Sequence, residues 1–254
     1  MIVDFHMHLP GGHMFERWTT AQFLKMMDDS GIDAGVIFTI DGFFTENYVE
    51  SNNLLYNQTS ECPSRLIPFC SVNPRQGQLA VEETRRSLSE LGMKGIKFHP
   101  WLQGFSPLQF NIMDPICELA IEFDVPIIFH DGTPPYSAPL QIGFLASRFP
   151  QCKMILGHGG LFDMWQEAVI AVNRNENLSV CLCGTAPQAI FSKIVSSVEP
   201  DRLLFGTDAG FGKDNYMPRY RVDEVLKMPL KESTKEGMLY KNAYRLLKMA
   251  DQAK

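Results

Sequence analysis

Three features of the 254-residue sequence predict an α/β fold of eight parallel strands, closed as a single (β/α)8 TIM barrel over residues 1–254. The length matches the roughly 250 residues typical of one such barrel. Eight short apolar runs alternate with longer segments of helical period, the pattern of repeated βαβ units. Five of the 6 histidines stand at the C-terminal ends of those runs, where a parallel barrel gathers its strand tips. Periodicity alone does not separate a closed barrel from an open doubly wound sheet.

The candidate strands are Ile2–Phe5, Ala34–Ile40, Leu66–Val72, Gly95–Phe98, Val125–Phe129, Lys153–Leu156, Leu178–Leu182 and Leu203–Phe205. A helix is predicted over Thr20–Ser30, where Phe23, Leu24 and Met27 recur at helical spacing between a Thr19 or Thr20 N-cap and a Gly31 C-cap. Leu79–Leu91 repeats the pattern and stops at Gly92. Pro115–Phe123 starts from an Asp114 N-cap, with proline at the first helical position. Pro139–Phe149, Phe162–Val172 and Gln188–Val198 complete the internal helices, and a last one covers Thr234–Met249. Leu9–Trp18, Pro100–Gln109 and Ala209–Arg221 show neither period. Each follows a strand, which puts it on the face where such folds build active sites.

The apolar fraction of 45% and charged fraction of 20% are those of a soluble globular protein. Net charge is −6, and the basic pair Arg85-Arg86 sits among Glu82, Glu83 and Glu90 as a solvated helix face. With no basic stripe, nucleic acid is not an expected partner. No apolar run reaches the roughly 18 residues of a membrane span. Met1–Met7 carries Asp4 and His6 and no basic start, so no secretory signal is expected. The 6 cysteines form no C-x-x-C pair and read as reduced, mostly buried thiols. A cytoplasmic protein acting on a small molecule is expected, with a homo-oligomer left open.

His6-Met7-His8 is H-x-H on a strand. Residues two apart face the same side, so both imidazoles can face the barrel axis while Phe5 and Met7 face the helices. His99, His130 and His158 end later strands, and Asp208 follows the last one. Imidazole and carboxylate are ordinary ligands of Zn²⁺ and similar ions. One H-x-H by itself is equally a pair of strand-end histidines; the added positions point to a metal centre.

These motifs resemble those of the amidohydrolase superfamily, in particular the amidohydrolase-related (amidohydrolase 2) branch of hydrolases and non-oxidative decarboxylases. The matching pieces are Asp4–His8, Gly95–Pro100, Phe129–Gly132, Gly157–Gly160 and Phe205–Asp208, and Asn242–Leu247 resembles that branch's final helix. The resemblance implies one divalent ion, zinc in the first place and manganese in the second. His6, His8 and His130 would be its nitrogen ligands, and Asp208 an oxygen ligand or proton shuttle. His158 would orient water or polarise the substrate. The implied activity is hydrolysis of a small amide, lactone or ester by water that the ion brings to a pKa of about 7. Decarboxylation of an aromatic or unsaturated acid is the alternative, and an inactive ligand-binding barrel a third reading.

Binuclear members of the superfamily carry a carboxylated lysine or a glutamate at the end of the fourth strand, which here ends Lys97-Phe98-His99. Lys97 and His99 share a strand face. Lys97 is a modified bridge, a cation for an anionic substrate or a salt-bridge partner; His99 is an additional ligand or an interior hydrogen-bonding group. One ion is expected. His13 reads as a surface residue beside Gly11 and Gly12, and Asp4 as a partner of the histidines or a buried strand carboxylate. Asp131 reads as structural. Trp101, Phe105, Tyr136, Phe211 and Tyr216 are candidate pocket walls, and Arg219 and Arg221 candidate carboxylate-binding groups.

Overall fold

Each of the eight predicted strands forms, and each is followed by a helical segment. The structure, a computed structural model, describes residues 1–9, 18–184, 188–210 and 216–249; His13, Phe211 and the side chain of Tyr216 lie outside the described residues. In chain order the strands are β1 (Val3–His8), β2 (Ala34–Phe38), β3 (Leu66–Pro68), β4 (Ile96–Phe98), β5 (Ile127–Phe129), β6 (Met154–Leu156), β7 (Leu178–Leu182) and β8 (Leu203–Phe205). All pairings are parallel, in one ladder of β1-β2-β3 and another of β4 through β8. Single bridges join the ladders at both seams, Cys70 to Ile96 and Met7 to Ala209. The strand order therefore returns to its start, as a barrel requires and an open sheet does not.

β1 extends three residues past its predicted end, because His6, Met7 and His8 continue the ladder to Phe38. β3 is shorter than predicted. Pro68 has no N–H to donate, and beyond it the chain is held by single bonds such as Phe69 N–H to the Ile37 carbonyl.

Helix α1 (Thr20–Ser30) matches its expectation, capped by Thr19 reciprocally with Gln22 and ended by Gly31 at φ 75°. The first helix missed from the sequence is α2 (Tyr48–Thr59), whose buried face includes Asn52, Gln58 and Thr59 rather than an apolar stripe. Asn52 exchanges bonds with the Ser71 backbone and donates to Glu83 Oε1 at 2.8 Å, so this helix docks through polar groups. Next come α3 (Gln78–Ser89), the short α4 (Pro100–Gln103) and α5 (Phe110–Glu122). Pro115 does not start α5 but lies inside it. The apolar spacing of Met113, Ile116, Cys117 and Ala120 carries the helix upstream of the proline.

α6 (Pro139–Arg148), α7 (Trp165–Arg174) and α8 (Gln188–Ser197) fall near their predicted bounds. α9 (Tyr216–Lys227) occupies part of a stretch read as irregular. The predicted last helix is broken into α10 (Glu232–Glu236), a π-helical turn Gly237–Lys241 and α11 (Asn242–Leu247). Asn242 Nδ2 ties that end to β8 by donating to the Leu203 carbonyl at 2.8 Å. Among the described residues no helix is long and apolar enough to cross a membrane.

Asp4 reinforces the seam between β1 and β8. Its Oδ1 accepts from the His6 N–H at 2.9 Å and the Thr207 N–H at 3.1 Å, and its Oδ2 from the Thr207 hydroxyl at 2.5 Å. Asp4→Ala leaves three buried donors without that acceptor. At about 1 kcal/mol each, the loss is about 3 kcal/mol, or roughly 6–12 °C in thermal midpoint for a chain this size. Asp4→Asn, which keeps an acceptor oxygen, is expected to lose less; equal midpoints for wild type and Asp4→Ala would remove the carboxylate from the seam.

Candidate metal centre

His6 stands where the β1–β2 register shifts, between Asp4 and Met7, and His8 follows just beyond it, opposite Phe38. Irregularities of this kind re-aim side chains next to functional sites. The two rings are 5.4 Å apart and each meets the Phe38 ring edge-on, at 4.8 and 4.7 Å. His6 Nδ1 lies 3.2 Å from the Gly157 carbonyl, which sets the ring proton on Nδ1 and leaves Nε2 its lone pair. That nitrogen faces Asp208 Oδ1 at 3.4 Å and Lys97 Nζ at 3.2 Å. His8 Nε2 lies 3.1 Å from the same carboxylate oxygen.

Two glycines make room for the His6 ring. A Cβ at position 157 would come within 3.0 Å of His6 Cε1 and 2.6 Å of the Phe129 carbonyl oxygen. One at position 206 would lie 3.0 Å from His6 Cβ and 2.6 Å from Cys181 Sγ. No other residue fits at either position without moving the imidazole or the strands beside it.

Asp208 adopts φ 62°, a region that residues other than glycine seldom occupy. Backbone bonds on either side hold it there: Asp208 N–H to the His6 carbonyl at 2.9 Å and His8 N–H to the Ala209 carbonyl at 2.7 Å. Burial by itself would raise the pKa of this carboxyl. The His8 hydrogen bond and the electrostatic interactions with His158, His8 and Lys97 outweigh it and hold the group well below the usual carboxylate range. At 26% exposure its side chain is the more open partner of His6 and His8.

From β6, His158 sets its Nδ1 3.1 Å from the Cys183 carbonyl, so its lone pair too is on Nε2. Burial pushes its pKa down to about 4, and the ring is neutral at pH 7. Asp131 holds the backbone of this loop, accepting from the His158 N–H and the Gly160 N–H, both at 2.6 Å. His130 reaches the same mouth from β5. It meets His158 edge-on at 4.3 Å and stacks on His99 at 3.8 Å with ring planes 12° apart. Burial holds His130 and His6 far below the usual imidazole range. His99 Nδ1 accepts from the Leu102 N–H at 3.4 Å, so the other nitrogen carries the proton and presents a donor rather than a lone pair.

Ligand-type atoms of His6, His158, Cys183 and Asp208 all lie within 4.8 Å of one another. Of the four ligands expected from sequence, His6 and Asp208 belong to this tightest set; His8 touches Asp208, and His130 is one ring further out. Cys183 was missed. Its Sγ donates to the Gly157 carbonyl at 2.9 Å and lies 3.4 Å from His158 Nδ1. It is the first residue after β7, so the rule that found the histidines would have found it.

Lys97 is fully buried, with Nζ 4.6 Å from the Phe38 ring centroid. Burial pushes its pKa down to about 8. Among the described residues no carboxylate lies within 4.0 Å of Nζ, so the salt-bridge reading is not met. Trp101 is 54% exposed with its ring 6.2 Å from His99, and Tyr136 is 37% exposed in the turn after β5. Phe105 is not a wall of the mouth. It is buried against Phe98, which points away from Lys97 toward the helices. Arg219 pairs with Asp223 at 3.2 Å and Arg221 with Glu224 at 2.7 Å, both within α9.

The sequence matches the amidohydrolase family profile over residues 3–249. The γ-resorcylate decarboxylase of Polaromonas sp. strain JS666 is 22% identical over an alignment of 290 positions, spanning 89% of this chain and 86% of that protein. Among solved structures, 2,6-dihydroxybenzoate decarboxylase from Rhizobium is similar at a TM-score of 0.79 and 16% identity, covering 98% of each chain. A dihydroxybenzoic acid decarboxylase from Polaromonas sp. JS666, with bound manganese and the inhibitor 2-nitroresorcinol, is similar at a TM-score of 0.76 and 16% identity. That match covers 98% of this chain and 97% of the other.

Asp131→Asn turns one of the two acceptors that hold the His158 loop into a donor facing a backbone N–H. With about 1–1.5 kcal/mol of hydrogen bonding lost, the thermal midpoint is expected to fall by roughly 2–6 °C, measured by circular dichroism. An unchanged midpoint would show that the loop needs no carboxylate to hold its backbone.

Proposed function

The chain belongs to the amidohydrolase family, and from that premise we propose that it is a metal-dependent, non-oxidative decarboxylase of hydroxybenzoate-type aromatic acids. The observation that carries this reading is the likeness to γ-resorcylate decarboxylase over 89% of the chain. It reverses the order in which the motifs alone ranked hydrolysis and decarboxylation. A buried lysine among neutral imidazoles also suits an anionic substrate better than an ester or amide.

The residues fit one divalent ion. His6 and His158 have lone-pair nitrogens fixed by hydrogen bonds to backbone carbonyls, and the Asp208 carboxyl is held ionised. We assign His6, His8, His130 and Asp208 as the residues that would hold the ion, with His158 beside them. Nitrogen and oxygen donors suit Mn²⁺ and Zn²⁺ alike; manganese is the first to test because a structural neighbour contains it. When bound, such an ion polarises and orients the oxygen atoms of a hydroxy acid.

In decarboxylation the ring-to-carboxylate bond breaks, its electron pair stays on the ring carbon, and a proton arrives there as carbon dioxide leaves. Asp208 is placed to carry that proton. Ionised at rest, it accepts the phenolic proton of the bound acid and returns it to the ring carbon; water then restores the phenol. His158, neutral and with Nε2 as acceptor, orients a substrate hydroxyl. Trp101 and Tyr136 flank the ring of the incoming acid.

Manganese-loaded protein is expected to release carbon dioxide from 2,6-dihydroxybenzoate, and Asp208→Asn to lower kcat by about 10²- to 10⁴-fold. Ion content separates the ligand sets. Loss in His130→Ala with retention in His158→Ala supports the assignment above, and the opposite pattern puts His158 in place of His130. Turnover of esters, lactones or amides without carbon dioxide release from any hydroxybenzoate would restore the hydrolase reading.

A further inference from the structure

Lys97 is a buried cation whose surroundings leave a place for an anion. Its Nζ has two partners in the described residues, the His6 Nε2 lone pair at 3.2 Å and the face of Phe38 at 4.6 Å. An ammonium carries three N–H donors. A fully buried one without a carboxylate partner is costly and persists where something else supplies the charge.

Loading the site sharpens the problem. An ion on His6 Nε2 takes the lone pair that Lys97 uses, so Lys97 loses its hydrogen-bond acceptor as it gains a cationic neighbour. Asp208 supplies one negative charge, against two on the ion and one on the lysine. We infer that Lys97 anchors the carboxylate of the substrate, completing the centre with an anionic oxygen pair; this rests on the decarboxylase reading above. The carboxylate replaces the lost acceptor and balances the charge. Once the carbon–carbon bond breaks, the anchored group departs as neutral carbon dioxide and Lys97 no longer holds the product.

The competing chemistry is addition of carbon dioxide to Nζ, giving a carbamate that bridges two ions. His99, on the same strand face two residues on, presents an N–H rather than a lone pair, which leaves a second ion without that nitrogen. The geometry therefore favours the unmodified lysine.

Calorimetric binding of salicylate and its neutral amide, salicylamide, to manganese-loaded protein tests the assignment. Wild type is expected to prefer salicylate. Lys97→Met should weaken salicylate by about thirtyfold or more, leave salicylamide and manganese content unchanged, and fold normally, because among the described residues no carboxylate partner of Nζ would be left buried and unpaired. Lys97→Arg should keep the preference. Equal salicylate affinity in wild type and Lys97→Met, or an acid-labile carboxyl group on Lys97 in the wild type, overturns the anchor. A Lys97-dependent preference in a protein that releases no carbon dioxide supports the anchor while sinking the decarboxylase reading, so the two fail separately.

Discussion

At the seam between the last strand and the first, the Asp208 N–H donates to the His6 carbonyl and the His8 N–H to the Ala209 carbonyl. These two backbone bonds close the ring of strands and fix the three side chains of the centre in one step. Asp208 is held at a positive φ that an aspartate does not choose by itself, and its carboxylate is thereby turned onto both imidazoles. Asp4 bonds the same two segments from below. Geometry at the mouth is thus a consequence of barrel closure, with residues 200 positions apart in the chain set within 3.1 Å.

Burial gives that geometry its chemistry. Removing water drives the imidazoles of His6, His8, His130 and His158 toward the neutral form in which they can bind a cation. The Asp208 carboxyl is driven the other way by the groups around it. Backbone carbonyls of Gly157 and Cys183 then decide which nitrogen of His6 and His158 carries the proton. Gly157 serves twice, as hydrogen-bond acceptor and as the absent side chain that admits the His6 ring. The loop bearing His158 is in turn pinned by Asp131, so a carboxylate that points away from the centre still governs it.

Much of this was legible in the sequence because strand ends are marked by apolar runs and a parallel barrel brings strand ends together. That rule placed His6, His8, His130, His158 and Asp208 at one mouth, and it extends to Cys183. It did not give the register shift in β1, the stacking of His130 on His99, or the proton position on His99, all of which depend on neighbours remote in sequence. Helix α2 escaped because its buried face is held by Asn52 and other polar groups, leaving no apolar period to read. Phe105 was misplaced because loop membership says nothing about direction; its partner Phe98 draws it outward. In α5, the Asp114-Pro115 start signal lost to the apolar spacing on both sides of it.

The chemistry of the site depends on the strand tips acting as one chelating group, and anomalous diffraction from crystals soaked in manganese tests that most directly. A single strong peak bonded to His6 Nε2, His8 and Asp208, with His130 completing the shell, is the predicted result. No peak at the barrel mouth, or a peak only at surface carboxylates, would contradict it.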